Sequence, residues 1–290
     1  MIVVADEVRE AGAVVALETT LVAHGFPRGE GVAVGVESEA RIRAAGAVPA
    51  TIGILDGKIR VGLTPDELER FDVNARKVGP RDLAACVVQK AVGATTVGGT
   101  LAVCRTAGIR VMGTGGLGGV HRGFPDPPDV SADLGELART RALVVSAGIK
   151  SLLDVPATLE VLETLGVPVL GFGTDELPLF YAAHGGPPVP ARVESASEAA
   201  DVARAHWDLG GGGLLLARPP DRSLDVDPLL EEALAAAGRR NVTGQSVTPF
   251  VLAFLHERSE GRTLAANREL VVANAGLAAE VATSLSDTSS

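Results

Sequence analysis

The chain has 290 residues, of which 46% are hydrophobic but only 3% aromatic, so its core must be built from small aliphatic side chains, as in many α/β proteins. Its formal net charge of −10 argues against a nucleic-acid-binding surface, because phosphate backbones require clustered Lys and Arg. The N-terminus does not resemble a signal peptide and no stretch reaches the ~18 apolar residues of a membrane span. We therefore expect a cytoplasmic protein with no membrane or nucleic-acid partner.

The first strand candidate covers residues 14–17 and ends at Glu18. In open α/β sheets the carboxyl ends of the strands border the ligand crevice, so Glu18 is a candidate acid/base, with a solvated strand-end residue as the alternative. Residues 32–45 have helical spacing of apolar residues. An Asp-Gly turn between β-branched runs predicts a β-hairpin over residues 51–61.

Thr64 and Glu67 have the spacing of a capping box and predict a short helix. Lys77 could reach a phosphate or carboxylate, although a surface lysine is the alternative. A helix is predicted over residues 80–92. Strand candidates at 95–97 and 109–112, joined by a helix, suggest a βαβ unit. The two isolated cysteines, Cys86 and Cys104, are expected to be buried thiols rather than zinc ligands.

The stretch 113–150 carries most of the potential chemistry. Its glycine cluster (Gly113, Gly115, Gly116, Gly118 and Gly119) leads into His121 and Arg122. Glycines allow backbone N–H groups to approach an anion, which makes a phosphate site one interpretation, and tight turns are the other. The spacing does not match a Walker A loop, because no Gly-Lys-Ser/Thr ends it.

Asp129, Ser131 and Asp133 follow the glycine cluster. Asp129 is a candidate hard oxygen ligand for a divalent metal, although acids at a helix start, with Ser131 as N-cap, are the simpler explanation. Lys150 ends an apolar run and is one of only four lysines in the chain. An apolar approach can leave a lysine as a nucleophilic amine, whereas a solvated turn residue is the alternative.

Downstream of Lys150 the pattern continues to alternate between helix and strand. A Ser195/Glu198 capping box begins one helix, and Thr248-Pro249 has the pattern of a helix start. Asn274 lies in an apolar helix and needs a polar partner, either a ligand or nearby backbone. Further elements are predicted as helices at residues 157–165, 175–183, 228–237 and 264–285, and as strands at 167–172 and 214–217.

These elements predict a single α/β domain, a layered α/β/α structure with a mixed central sheet, over residues 1–285, followed by a disordered tail at 286–290. Eight or so strands would also suit a TIM barrel. However, the hairpin at 51–61 interrupts the strict βα alternation that a barrel requires, so the layered sheet is favoured.

Several ordered motifs resemble the pseudouridine-5′-phosphate glycosidase family, also known as the indigoidine synthase A-like family. They cover nearly the whole chain and read ALETT-LVAHGFP, GAVPATIGILDGKIRVGL, KVGPRDL, GATTVGGT, GTGGLGGVHRG, DVSADLGELA, AGIKSLLD and VVANAGLA. The resemblance implies a homotrimeric α/β/α enzyme that uses a divalent metal, typically Mn²⁺, to split pseudouridine 5′-phosphate reversibly into uracil and ribose 5-phosphate. It would be a C-glycosidase of the hydro-lyase class.

The resemblance also implies roles for individual residues. Lys150 would be the Schiff-base nucleophile that forms a ring-opened sugar adduct, Glu18 the proton donor, and Asp133 an assistant in proton transfer. Asp129 would hold the metal. Substrate contacts would come from Lys77, Val97, Thr114, His121, Ser131, Ala132, Asp133 and Asn274, with His121 at the phosphate.

These residue types suit the cleavage of a carbon–carbon glycosidic bond. The leaving group is carbon, so protonation must occur at uracil C5, and an amine that opens the sugar ring can assist cleavage. Two other functions fit parts of the pattern. A Schiff-base aldolase acting on a phosphosugar would also use a strand-end lysine, and a non-catalytic phosphosugar-binding module would need no amine.

Overall fold

A computed structural model of the protein describes residues 1–123, 125, 128–242 and 244–287, apart from the side chain of Gln245. The strands in this part of the chain are β1 (Ile2–Val4), β2 (Val14–Glu18), β3 (Val48–Leu55), β4 (Lys58–Val61), β5 (Arg76–Val78), β6 (Gly93–Thr95), β7 (Val111–Gly113), β8 (Val120–His121), β9 (Leu143–Ser146), β10 (Leu153–Asp154), β11 (Val169–Phe172), β12 (Ala191–Val193) and β13 (Leu214–Ala217).

The α-helices are α1 (Asp6–Glu10), α2 (Thr19–His24), α3 (Glu30–Ala44), α4 (Pro65–Leu68), α5 (Leu83–Val88), α6 (Val97–Ala107), α7 (Ala132–Arg139), α8 (Val155–Thr164), α9 (Ala196–Asp208), α10 (Asp227–Arg239), α11 (Val247–Arg258) and α12 (Arg262–Ser286). Short 3₁₀ turns cover Pro80–Asp82 and Gly244–Ser246. Within the described residues, no helix is long and apolar enough to cross a membrane.

The central sheet is mixed and mostly parallel, as predicted. Its strands run in the order β1-β4-β3-β2-β7-β9-β13-β11-β12, and β6 joins β3 to β5 at one side. Pairs from β3 through β2, β7, β9, β13 and β11 to β12 are all parallel, whereas β4 and β6 are antiparallel to β3. A separate two-stranded sheet pairs β8 with β10.

Alternating side chains of the central strands enter two different cores, because successive residues of a strand point to opposite faces. Leu143 and Val145 of β9 belong to the core on one face, where α3, α9 and α12 pack, while Val144 belongs to the core on the other. That second core includes side chains of α6, α7, α8, α10 and α11. The two-sided burial produces one domain of three layers, α/β/α.

Many local predictions are confirmed. The hairpin at residues 51–61 forms, and Thr64 and Glu67 make a reciprocal capping box at α4. Ser131 caps α7 by accepting a hydrogen bond from the Asp133 N–H. Cys86 and Cys104 are buried free thiols. Ser286 ends α12, and residues 288–290 lie outside the described part of the chain, so a disordered tail there stays a prediction.

Three local predictions are wrong. Residues 175–183 form no helix, because Pro178 lacks a backbone donor and Phe180 has a left-handed backbone (φ 63°). Thr248 is not an N-cap, since α11 begins at Val247. The βαβ unit is also wrong: β6 is hydrogen-bonded to β3 and β5 rather than to β7, and it runs antiparallel to β3. The helix predicted over 80–92 is shorter, with α5 ending at Val88.

Candidate active site

Three neighbouring parallel strands, β2, β7 and β9, deliver the main candidate residues to one edge of the sheet. Leu17 is in register with Gly113, and Gly113 with Val145, so Glu18, Thr114 and Ser146 follow side by side. The carboxyl ends of parallel strands are where open α/β sheets bind ligands. Sequence positions more than a hundred residues apart therefore meet at one place.

The segment leading to Lys150 is fixed to the glycine-rich segment beyond β7. Ala147 N–H donates to the Gly115 carbonyl at 2.9 Å, and Leu117 N–H donates to the Gly148 carbonyl at 3.0 Å. Lys150 N–H then donates to the Leu117 carbonyl at 3.3 Å. These bonds continue the β7–β9 pairing past the sheet and set the position of the Lys150 backbone.

Glu18 is a buried carboxyl group with a single described hydrogen bond. Its side chain is 9% exposed, and the Thr114 hydroxyl donates to Oε1 at 2.5 Å. Burial raises the pKa of Glu18, and the nearby Asp133 charge raises it further, while Lys150, the Thr114 hydroxyl and Lys77 oppose the shift. A carboxyl group with a raised pKa keeps its proton at higher pH, which suits a proton donor.

Asp133 is equally buried but is held very differently. Gly98 N–H donates to its Oδ1 at 2.7 Å, and Gly118 N–H donates to its Oδ2 at 3.1 Å. Gly98 lies in the first turn of α6, where the helix dipole favours negative charge. A Cβ atom on Gly118 would lie 2.6 Å from Asp133 Oδ2 and 2.5 Å from Ser131 Oγ, so this glycine is required by close packing.

Lys77 and His121 stand near the same charges. Burial lowers the pKa of Lys77, and the Lys150 charge lowers it further, against the opposing effects of Asp133 and Glu18. Burial also lowers the pKa of His121, although the Asp129 carboxylate raises it. His121 Nδ1 lies 3.7 Å from Asp129 Oδ2. The site thus mixes two lysines, two buried acids and a histidine.

A cavity of about 910 Å³ joins these groups. Ten of the eleven residues singled out from the sequence line it, namely Glu18, Lys77, Val97, Thr114, His121, Asp129, Ser131, Ala132, Asp133 and Lys150. Asn274 is the exception. It is fully buried in α12 behind the glycine segment, and its Nδ2 donates to the carbonyls of Thr114 at 2.9 Å and Gly115 at 3.4 Å. Among the described residues its Oδ1 has no hydrogen-bond partner.

Asp129 and His121 lie together where the resemblance implies a metal ion. They offer one carboxylate and one imidazole, and the described residues contain no group of three His, Cys, Asp or Glu side chains arranged to hold a metal. A site with one carboxylate fits a hard divalent ion such as Mg²⁺ or Mn²⁺ that keeps several water ligands. The donor set is therefore compatible with the predicted Mn²⁺ held by Asp129.

Some cavity residues were not singled out from the sequence. Phe180 and Leu252 bring apolar surface, and Thr20 and Thr248 bring hydroxyl groups. His24 also lines the cavity, with Nε2 3.0 Å from the Ala75 carbonyl. Thr20 and His24 follow the strand end at Glu18 and could have been found from that position, whereas nothing local to Phe180 places it beside Lys150.

Comparison with known proteins gives a consistent family match. The family model described as indigoidine synthase A like protein matches residues 3–284. The pseudouridine-5′-phosphate glycosidase of Nocardioides sp. is 48% identical, covering 96% of this chain and 94% of that protein. The pseudouridine-5′-phosphate glycosidase of Streptomyces griseus is 50% identical, covering 94% of this chain and 88% of that protein.

Two solved structures share the fold along almost the entire chain. One is the prealnumycin C-glycosynthase AlnA in complex with ribulose 5-phosphate, with a TM-score of 0.90, 39% identity, and coverage of 100% of this chain and 98% of that chain. The other is an indigoidine synthase A-like protein from Thermotoga maritima, with a TM-score of 0.89, 38% identity, and coverage of 99% and 97%.

Proposed function

The chain belongs to the indigoidine synthase A-like protein family, as its motifs indicated, and from this we propose that it cleaves the C–C glycosidic bond of pseudouridine 5′-phosphate. The observation that carries the proposal is the convergence of buried Glu18, buried Asp133 and Lys150 on one cavity. Close relatives named for this activity support the substrate, and a related C-glycosynthase with bound ribulose 5-phosphate supports a phosphosugar ligand.

In the proposed reaction the neutral amine of Lys150 attacks the anomeric carbon C1′. The new C1′–Nζ bond replaces the C1′–O4′ bond, so the sugar ring opens and O4′ takes up a proton. The nitrogen lone pair then forms an iminium as the C1′–C5 bond breaks, and uracil C5 accepts a proton. Water hydrolyses the iminium, which releases ribose 5-phosphate and restores the amine.

Glu18 suits the proton transfer to uracil C5. Its burial raises its pKa and so increases the protonated fraction near neutral pH. Its partner, the Thr114 hydroxyl, can either donate or accept, so the hydrogen bond survives loss of the proton. Asp133 keeps both oxygens as acceptors of backbone N–H groups, and its charge opposes the lowering of the Lys77 pKa.

We also propose that Asp129 holds a divalent ion, Mn²⁺ in the family pattern, beside His121. A bound cation would offset the negative charge of the phosphosugar. Replacing Asp129 by Asn should weaken Mn²⁺ binding measured by isothermal titration calorimetry, whereas Asp208→Asn, at an exposed end of α9, should not. Equal Mn²⁺ affinity in both variants would contradict this assignment. The homotrimeric state and the hydro-lyase class likewise remain predictions.

The decisive experiment measures uracil release from pseudouridine 5′-phosphate by wild type, Lys150→Ala and Lys58→Ala. Lys58 is an exposed lysine of β4 and serves as the matched control. We expect wild-type turnover with Lys58→Ala and none above background with Lys150→Ala, with both variants folded. Turnover by Lys150→Ala would refute the lysine mechanism.

Borohydride trapping with ribose 5-phosphate tests the covalent step separately. Reduction of the iminium should leave a sugar-phosphate adduct, and peptide mapping should place it on Lys150 rather than on the neighbouring Lys77. A phosphosugar aldolase would also be trapped but would release no uracil, and a passive binding module would give no adduct at all. The two assays together therefore separate the three functions.

A further inference from the structure

Phe180 occupies a backbone position that normally selects glycine. It is the first central residue of a tight turn in which Leu179 N–H donates to the Ala182 carbonyl at 2.9 Å. Its φ of 63° lies in the left-handed region that glycine prefers, and Tyr181 N–H donates to the Leu179 carbonyl at 2.7 Å, the three-residue bond of a γ-turn centred on Phe180. A large side chain kept in a disfavoured conformation points to a function for the side chain.

The turn is attached directly to the segment that precedes Lys150. Phe180 N–H donates to the Ala147 carbonyl at 3.0 Å, and Leu179 forms an antiparallel bridge with Gly148. A Cβ atom on Gly148 would lie 2.0 Å from the Pro178 carbonyl oxygen, so the contact requires a glycine there. The approach to Lys150 is thus held on one side by the glycine segment and on the other by the Phe180 turn.

The Phe180 ring and the Lys150 side chain both pack beside Gly116. A Cβ atom placed on Gly116 would lie 2.6 Å from Phe180 Cδ2 and 3.3 Å from Lys150 Cγ. Phe180 is 3% exposed and lines the cavity together with Lys150. The Tyr181 ring stands edge-on to it, with centroids 4.7 Å apart and planes at 85°, which restrains the Phe180 ring.

We propose that Phe180 is a positioning residue for Lys150: its ring and the bare backbone of Gly116 confine the aliphatic stem of Lys150 and direct Nζ at the sugar carbon. This inference rests on the proposed function, because it gives the ring a role only if Lys150 is the nucleophile. Holding a nucleophile in the reactive orientation accounts for a large part of the rate enhancement within a complex.

The test compares Phe180→Leu and Phe180→Met with Phe180→Tyr, which keeps the ring, and with Phe71→Leu. Phe71 is the matched control, because it is 2% exposed in a core away from the cavity. The rate of borohydride trapping with ribose 5-phosphate and kcat should both fall at least about tenfold in Phe180→Leu and Phe180→Met. KM should change little, and Phe180→Tyr and Phe71→Leu should keep the wild-type trapping rate.

The result separates a positioning role from a structural one. Melting curves should show that Phe180→Leu and Phe71→Leu lose similar stability, so only the position of the ring distinguishes them. Wild-type trapping rates in both folded Leu and Met variants would overturn the inference and leave the proposed function intact. Absence of any adduct with the wild type would instead refute the lysine mechanism, and this inference with it.

Discussion

Glu18 and Asp133 are two buried carboxyl groups that line one cavity, and they differ in their hydrogen-bond partners. Glu18 ends a strand and accepts one hydrogen bond from a hydroxyl group, which can instead accept a hydrogen bond when the carboxyl group is protonated. Asp133 begins a helix and accepts two bonds from backbone amides, which can only donate. Burial alone therefore does not assign a role; the chemistry of the partner decides whether a carboxyl group can exchange its proton.

The strongest test of this difference is Glu18→Gln. Loss of the proton donor should lower kcat for uracil release by about 10²–10⁴-fold, the usual contribution of a general acid. Substrate affinity should persist, because the amide keeps the shape of the side chain. Near-normal turnover by Glu18→Gln would contradict the role of Glu18.

The same variant also tests the raised pKa of Glu18. In the wild type, stability from the protonated group is complete below the unfolded value near 4.5 and is lost as the pH rises through the raised folded pKa. Gln cannot ionise. The melting temperature of Glu18→Gln relative to the wild type should therefore increase as the pH rises from about 4.5 through the raised pKa of Glu18.

Asp133→Asn should affect stability as well as turnover. The new amide must point its NH₂ group at either Gly98 N–H or Gly118 N–H, which leaves buried donors unpaired and costs about 1–3 kcal/mol. Chemical denaturation should detect this loss together with reduced kcat. Asp208→Asn is the control for a change of net charge. Unchanged stability in Asp133→Asn would mean that the two amide bonds contribute little.

Thr114→Val removes only the hydrogen bond to Glu18, so its effect on turnover should be smaller than that of Glu18→Gln. Kcat should fall about fivefold, which corresponds to a hydrogen bond worth about 1 kcal/mol. Because the Thr114 hydroxyl lowers the pKa of Glu18, its removal should move the alkaline limb of the kcat profile to higher pH. Thr114→Ser keeps the hydroxyl and should keep the wild-type profile. A limb that does not move would show that another group controls it.

Gly98→Ala should have the smallest effect on turnover of these variants, and it acts through Asp133. The new Cβ would lie 3.0 Å from Asp133 Oδ1, so the carboxylate must shift slightly and kcat should fall a few-fold. Gly135→Ala in α7 is the matched control, because its Cβ meets no atom within 4 Å. It should gain about 0.5–1 kcal/mol of stability from helix propensity and keep full activity.

Much of the site was predictable because its signals are local. Glu18 and Lys150 each end an apolar run, and the strand ends of an α/β sheet face ligands. Ser131 and Asp133 carry the pattern of a helix start, and the structure confirms that cap. The family motifs then assigned roles to these positions, and the cavity brings ten of the eleven named residues together.

The glycine segment illustrates what local pattern left open. It suggested either a phosphate loop or tight turns, and the structure gives three of the glycines a packing reason. Gly116 makes room for the Phe180 ring. Gly118 makes room for Asp133 and Ser131, and Gly119 makes room for Thr158. Asn274 supports this segment from behind, a position that helical spacing alone could not distinguish from ligand contact.

The amino-acid sequence by itself determined the α/β class, the hairpin, several helix caps and the strand-end position of Glu18, because periodicity and capping depend on neighbours in the chain. Lys150 lies beyond Ser146, the last residue of β9, and its place at the cavity depends on pairing with the glycine segment. Only the tertiary structure decided strand order, the antiparallel placement of β6, the amide clamp on Asp133 and the contact of Phe180 with Gly116 beside Lys150. These features depend on pairing and packing between distant segments, for which a single sequence carries no periodic signal.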